Sequence, residues 1–156
     1  GVARTTPIEV LEQRYPVMID RYALRNGSGG PGRHRGGLGI TYRCRLLHGE
    51  ANASYLMDHG LTGPHGLLDG REGARTDIIV CRNGETFRTL HLSKGQNILL
   101  TAGDWVEVST PGGGGYGVSG ERDEEAVERD LRRGYVSADD LSGTSGTTKV
   151  DRDEPR

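Results

Sequence analysis

The sequence predicts a mainly β domain: an antiparallel sandwich or open barrel with long glycine-rich loops, a short N-terminal helix and a C-terminal surface helix. Three observations lead there. Short apolar and β-branched stretches recur up to Thr110, separated by glycine, proline and Asn-Gly signals with few helical patterns between them. Glycine supplies 26 of 156 residues, concentrated between those stretches. Hydrophobic content is 33%, which makes a thin core for one domain of this length and predicts a partner covering part of it.

In chain order, Thr6-Pro7-Ile8-Glu9 reads as a capping box, with Thr6 as N-cap, Pro7 at the first helical position and Glu9 three residues after the cap. It predicts a short helix to about Arg14, stopping before Pro16. Val17 to Leu24 reads as a strand entering the glycine-dense stretch Tyr22 to Gly39, which delivers a second strand, Gly39 to Leu47. Ala51 to Met57 is a third strand. Asp58 to Gly73 is a long irregular segment holding His59, Pro64, His65 and five glycines, and loops of that length are usually functional or at an interface.

Ile78 to Arg82, Asn83-Gly84 and Thr86 to Leu92 read as a hairpin, because Asn-Gly supplies both positive φ angles of a type I′ turn. Asn97 to Thr101, Ala102-Gly103-Asp104 and Trp105 to Thr110 read as the next hairpin. Further on, Asp123 caps a helix with an acidic first turn (Glu124, Glu125) and a basic last turn (Arg132, Arg133), ended by Gly134. Only Val127 and Leu131 share an apolar side, so the helix is expected on a surface. Ser137 to Leu141 reads as one more helical turn. Residues 1–141 are therefore expected to form a single β-rich domain and 142–156 a polar tail.

Net charge is −2, which gives no field for nucleic acid or an anionic membrane surface. No run approaches the ~20 apolar residues of a membrane span. The beginning, GVARTTP, lacks the apolar core of a signal peptide, and the expected compartment is the cytoplasm. Cys44 and Cys81 read as small buried hydrophobes, with a disulfide between them left open.

The stretch Tyr22 to Gly39 combines glycines with Arg25, Ser28, Arg33, His34 and Arg35. Backbone without Cβ atoms beside planar guanidinium forks suits an oxyanion, so Arg25, Ser28 and Arg35 are candidate anion or substrate contacts. A long turn between strands is the plainer alternative. Neither the Walker nor the dinucleotide spacing is present. The same choice, ligand or neighbouring backbone, applies to Gly29, Gly30, Gly32, Gly36 and Gly37, and to Gly112, Gly113, Gly114, Gly115 and Gly117 around Tyr116. His59 and His65, near Asp58 and Asp69, are candidates for metal ligation or acid–base work, or else polar residues of a surface loop. No histidine pair has helical i, i+4 spacing and no Cys/His grouping occurs, so no metal site is assigned. No nucleophile elbow, carboxylate pair or Cys-His arrangement is recognisable, and the catalytic residues are unassigned.

Several motifs occur in an order that resembles the carboxy-terminal part of the hydantoinase B/oxoprolinase family over residues 5 to about 141. They are Thr6-Pro7-Ile8-Glu9 with Leu11-Glu12 and Tyr15-Pro16, Arg21-Tyr22 with Leu24-Arg25, Ser28-Gly29-Gly30 with Gly32, Arg35-Gly36-Gly37 with Gly39, and Thr110-Pro111 running into Gly112 to Gly117. Arg122-Asp123 and Gly134-Tyr135-Val136-Ser137 resemble the family's closing helix. Thr5 stands where asparagine is usual before Thr-Pro, and Gly27 where an acidic residue is usual before Ser-Gly-Gly.

The resemblance implies a multi-subunit enzyme in which a hydantoinase A-type partner binds ATP and phosphorylates an oxygen of the substrate or of bicarbonate. It implies a divalent metal held by an Asp/His motif towards the amino end of the B-type polypeptide, a motif this chain does not match, so ATP and metal are both expected on partner subunits. The chain is then expected to be a separately encoded or processed segment that completes a larger hydantoinase B-type subunit in a hetero-oligomer acting on a small molecule, and to be poorly soluble alone. Gly1 fits either loss of an initiator methionine or proteolysis. Family members open cyclic amides such as hydantoins and 5-oxoproline, or carboxylate ketones such as acetone and acetophenone. An acetophenone carboxylase-like ketone carboxylase is the first expectation, a cyclic-amide hydrolase the second and a non-catalytic assembly subunit the third.

Overall fold

The computed structural model describes residues 5–141, so the tail expected at 142–156 lies outside the described residues. Helix α1 (Ile8–Arg14) ends before Pro16 as expected, but its N-cap is Pro7, extended at φ −53° and ψ 141°, with no side-chain cap bond. The Thr6–Glu9 capping box therefore does not form, because the helix begins one residue later than the box requires and Thr6 lies outside the turn it would cap. A different acidic residue ties the helix down. Glu12 Oε1 accepts the Ile19 N–H at 2.7 Å, pinning α1 to the first strand.

Seven strands follow: β1 (Val17–Arg25), β2 (Gly39–Leu46), β3 (Glu50–Leu56), β4 (Asp77–Arg82), β5 (Glu85–Phe87), β6 (Lys94–Thr101) and β7 (Trp105–Ser109). They form two antiparallel sheets, β1-β2-β7-β4-β5 and β3-β6. Of the two expected architectures this is the sandwich. Leu46 and Val80 of the larger sheet meet Leu100 of the smaller one, and Val17, Val106, Phe87, Ala51, Ala53, Tyr55 and Ile98 pack around them.

The β4–β5 hairpin forms as expected, with Asn83 and Gly84 at φ 53° and 83°. Its second strand stops at Phe87, short of the expected Leu92, because the chain turns away: Arg88 forks onto Asp77 at 2.6 and 2.9 Å, and the Leu92 N–H closes a turn onto the Thr89 carbonyl. A larger correction concerns β6 and β7, which are not a hairpin. β6 pairs with β3, whereas β7 lies between β2 and β4 in the other sheet.

Asp104 makes that sheet change possible. Its buried carboxylate accepts the Asn83 N–H at 2.8 Å, the Thr101 N–H at 2.7 Å and the Thr101 hydroxyl at 3.0 Å. Its carbonyl accepts the Leu46 N–H, while the Gly103 N–H returns to the Leu46 carbonyl. Burial pushes the Asp104 carboxyl up, but the bonds from Thr101 and Asn83 and the charge of Arg82 outweigh it and hold the pKa below the ordinary value.

The cysteines are both free. Cys44 sits opposite Val106 and Cys81 opposite Trp105, adjacent residues of the strand between them. Adjacent strand residues face opposite ways, so the two thiols lie on opposite faces and cannot bridge.

Beyond the sheets, Asp123 caps α2 (Glu124–Arg132) by accepting the Ala126 N–H at 3.1 Å. Gly134, at φ 66°, ends it with N–H bonds from Gly134 to the Leu131 carbonyl and from Tyr135 to the Asp130 carbonyl, the double closure of a Schellman motif. A last turn, α3 (Ala138–Leu141), is capped reciprocally by Ser137 and Asp140.

Candidate functional site: the glycine-loop junction

Three irregular segments, roughly residues 27–39, 58–76 and 110–117, converge beyond the β1, β2 and β7 ends and bond to one another through their backbones. The Gly30 N–H donates to the Gly113 carbonyl at 2.8 Å and the Gly113 N–H to the Gly37 carbonyl at 2.9 Å. The Gly115 N–H donates to Arg71, Arg71 to Pro31, Ala74 to Ser28 and Leu67 to Gly115, so each segment is laced to both others. Tyr116 and His34 exchange both backbone bonds at 2.9 Å, with their rings 6.1 Å apart.

Close approach explains why the sequence has glycine here. A Cβ on Gly36 would collide with the carbonyl of Gly113, and one on Gly112 with the carbonyl of Ser28. Gly29, Gly30, Gly32, Gly114 and Gly115 also face backbone; Gly37 faces open space, and Gly117 holds φ 75°. The N–H groups of Gly30, Gly36, Gly112, Gly113, Gly115 and Gly117 all donate to backbone carbonyls. Of the alternatives the sequence left open, these bonds describe neighbouring backbone.

Arg25 and Ser28 come together at the root of the junction. The Arg25 Nη1 donates to the carbonyls of Arg75 at 2.5 Å and Thr110 at 3.0 Å. The Ser28 hydroxyl, almost fully buried, donates to the Arg25 carbonyl and accepts the Gly39 N–H at 2.9 Å. These bonds tie the ends of β1, β2 and β7 to the loops they emit. Burial lowers the Arg25 pKa from its ordinary value, with Asp77 opposing.

Arg35 lies elsewhere, against α2. Its Nε is 2.8 Å and its Nη2 3.3 Å from the two Asp130 carboxylate oxygens, its Nη1 donates to the Gly36 carbonyl, and its guanidinium lies over the Tyr135 ring. Arg122 Nη2 reaches the same carboxylate at 2.6 Å. The Arg35 bond is the main reason the buried Asp130 carboxyl is held below its ordinary pKa; burial opposes it, and the charges of Arg35 and Arg122 add to it. Helix α2 lies on the surface as expected, and its buried residue is Asp130 while Leu131 stays exposed. Sequence reasoning passed over Asp130 and named Arg122 only as part of the closing-helix motif.

His59 and His65 are both exposed. His59 holds φ 60° with Nδ1 3.2 Å from the Thr62 carbonyl, and the His65 carbonyl backs Gly114. Among the described residues no three His, Cys, Asp or Glu side chains converge to hold a metal ion, so the divalent metal that the resemblance implies does not fit this chain's described side chains. The junction shapes backbone and buries one charged clasp.

The sequence profile described as Hydantoinase B/oxoprolinase matches residues 1–119. An uncharacterized protein of Methanocaldococcus jannaschii, MJ0963, is 40% identical over 85% of this chain and 23% of its own length. The B-type component of a putative D-/L-hydantoinase from Pseudomonas sp. is 32% identical over 97% of this chain and 25% of its own length. An ATP-dependent caprolactamase from Pseudomonas jessenii superposes with a TM-score of 0.73 at 30% identity, covering 88% of this chain and 24% of that one. Acetone carboxylase superposes with a TM-score of 0.76 at 16% identity, covering 91% and 23%, a likeness of fold. The chain spans about a quarter of each of these proteins. The motif order read from the sequence and the profile match agree, and the chain belongs to the hydantoinase B/oxoprolinase family.

Proposed function

We propose that this chain is the glycine-loop module of a B-type subunit in an ATP-dependent complex that opens cyclic amides. One observation carries the choice of reaction: over nearly its whole length the chain is 32% identical to the B-type component of a hydantoinase and 30% identical to a caprolactamase, against 16% for acetone carboxylase. Ketone carboxylation of the acetophenone carboxylase type, first on sequence alone, becomes the second reading. In this proposal a hydantoinase A-type partner binds ATP, the remainder of the B-type polypeptide holds the divalent metal, and the assembly works in the cytoplasm. No helix among the described residues is long and apolar enough to cross a membrane.

The chain's own contribution is positional. Arg25 and Ser28 fix where the loops leave the sheet, and Arg35 fixes α2 over them. Direct contact of Arg25, Ser28 or Arg35 with a substrate carboxylate or phosphate requires those internal bonds to exchange. His59 and His65 are exposed on the same loops and face whatever covers them. The test is ATP turnover by the purified complex with hydantoin, 5-oxoproline or caprolactam and no bicarbonate. Turnover driven instead by acetone or acetophenone, and only with bicarbonate, would replace this reading with the second.

A further inference from the structure

The larger sheet is only partly covered on its inner face. The pairs Val17↔Leu46, Ile19↔Cys44, Tyr22↔Tyr42 and Leu24↔Ile40 lie on one face of β1 and β2, and Val106, Val108, Val80 and Ile78 continue it across β7 and β4. The two-stranded sheet β3-β6 closes over the Val17, Leu46, Val106 and Val80 end. Towards the glycine loops, on the β1 side, the same face is open: Tyr22 is 51% exposed and Leu24 49%. Tyr22 and Tyr42 stack edge-on there at 5.7 Å, with Glu12 nearby.

The opposite face of the same strands carries ion pairs. Arg45 pairs with Asp20 at 2.6 Å, Arg43 with Glu107 at 2.8 Å, and the Arg43 guanidinium lies 4.1 Å over Trp105. A sheet with ion pairs on one side and an unfinished apolar layer on the other is a sandwich that lacks part of its second leaf.

We infer that the open β1–β2 face, at Tyr22 and Leu24, is where the remaining part of a B-type polypeptide docks, through an apolar surface that completes the sandwich. This rests on the proposed role as a module of such a polypeptide. The occupant follows from size: relatives carry this module as about a quarter of their length, so three-quarters of a B-type polypeptide has to meet it somewhere. Residues 142–156 are poor candidates, since they contain one aliphatic residue, Val150.

The test co-expresses this chain, affinity-tagged, with a B-type polypeptide that supplies the remaining three-quarters. The wild type should retain that polypeptide. Leu24→Asp and Tyr22→Ser should each reduce retention at least tenfold while leaving the chain's melting curve unchanged, because both side chains are already half in water. Arg21→Ser, on the opposite face, should retain it fully. Equal retention by wild type and Leu24→Asp would overturn the docking face but leave the B-type reading intact. If wild-type chain retains no B-type polypeptide, the B-type reading falls and the docking face with it. Self-association of the isolated chain that Leu24→Asp abolishes, with B-type binding unaffected, would give the face to a second copy and also overturn the inference.

Discussion

Arg35 and Asp130 lie 95 residues apart in sequence, yet their Nε and Oδ2 atoms are 2.8 Å apart, with Arg122 closing on the same oxygen at 2.6 Å. The carboxylate is buried, so its removal leaves two arginines facing each other without a counter-charge. Asp130→Ala is therefore expected to lower unfolding stability by about 3–5 kcal/mol, measured by urea denaturation. Arg35→Ala leaves Arg122 in place and should cost less, about 1–3 kcal/mol. Arg35→Lys keeps the charge without the planar fork and should fall between wild type and Arg35→Ala. In the complex, the anchoring role predicts that Arg35→Ala loosens α2 while turnover per assembled complex is retained; lowered turnover with α2 still docked would instead place Arg35 at developing charge.

Acid should weaken the same clasp. The folded-state pKa of Asp130 lies below the ordinary value, as does that of Asp104. The native state thus binds fewer protons than the unfolded one at these positions, and their stabilisation is fully present above the unfolded value of ~3.9 and is lost as pH falls from there through the folded values. Denaturation midpoints followed from neutral into acid should show this fall, and Asp130→Asn should remove its share of the slope. A midpoint independent of pH through that window would contradict the paired geometry.

The glycine junction makes a contrast between neighbours. Gly36→Ala drives a methyl group into the Gly113 carbonyl, whereas Gly37→Ala meets nothing within 4 Å. The first should cost ~2 kcal/mol or more by overpacking, and the second should be neutral or stabilising by up to ~1 kcal/mol through the unfolded state. Thermal melts of the two variants decide it, and equal effects would mean the loops are not packed this tightly.

How far these features were legible in the sequence depends on how local their causes are. Asn83-Gly84, Asp123 and Gly134 act through their own backbone neighbourhood, and the turn, the cap and the helix end formed where those residues predict them. The β6–β7 pairing did not, because two strands joined by Ala102-Gly103-Asp104 fit a hairpin locally, while the bonds from Asp104 to Asn83 and Leu46 that redirect the chain involve distant segments. The Thr6–Glu9 box failed by a one-residue shift at Pro7. The glycine clusters marked the site, but only tertiary contacts distinguish neighbouring backbone from a ligand cradle. Asp130 was invisible for the same reason, because folding alone brings Arg35 and Arg122 to it.

Asp104 supplies a test of the sheet change itself. Asp104→Ala removes three accepted bonds from a buried turn, one of them from the Asn83 N–H in the β4–β5 turn, and should cost about 2–3 kcal/mol. Hydrogen exchange should locate the loss at the β6–β7 connection and the β4–β5 turn together. Loss confined to the β6–β7 connection would argue against the link from Asp104 to Asn83.

The most direct measurement is of product: ring-opened amino acid and ADP formed by the assembled complex from a cyclic amide and ATP, with and without this chain. The two products should appear in equal amounts without bicarbonate, and both should be lost when the chain is omitted. ADP formation that ignores the amide and requires a ketone with bicarbonate, or full amide turnover in a complex lacking this chain, would contradict the proposed role.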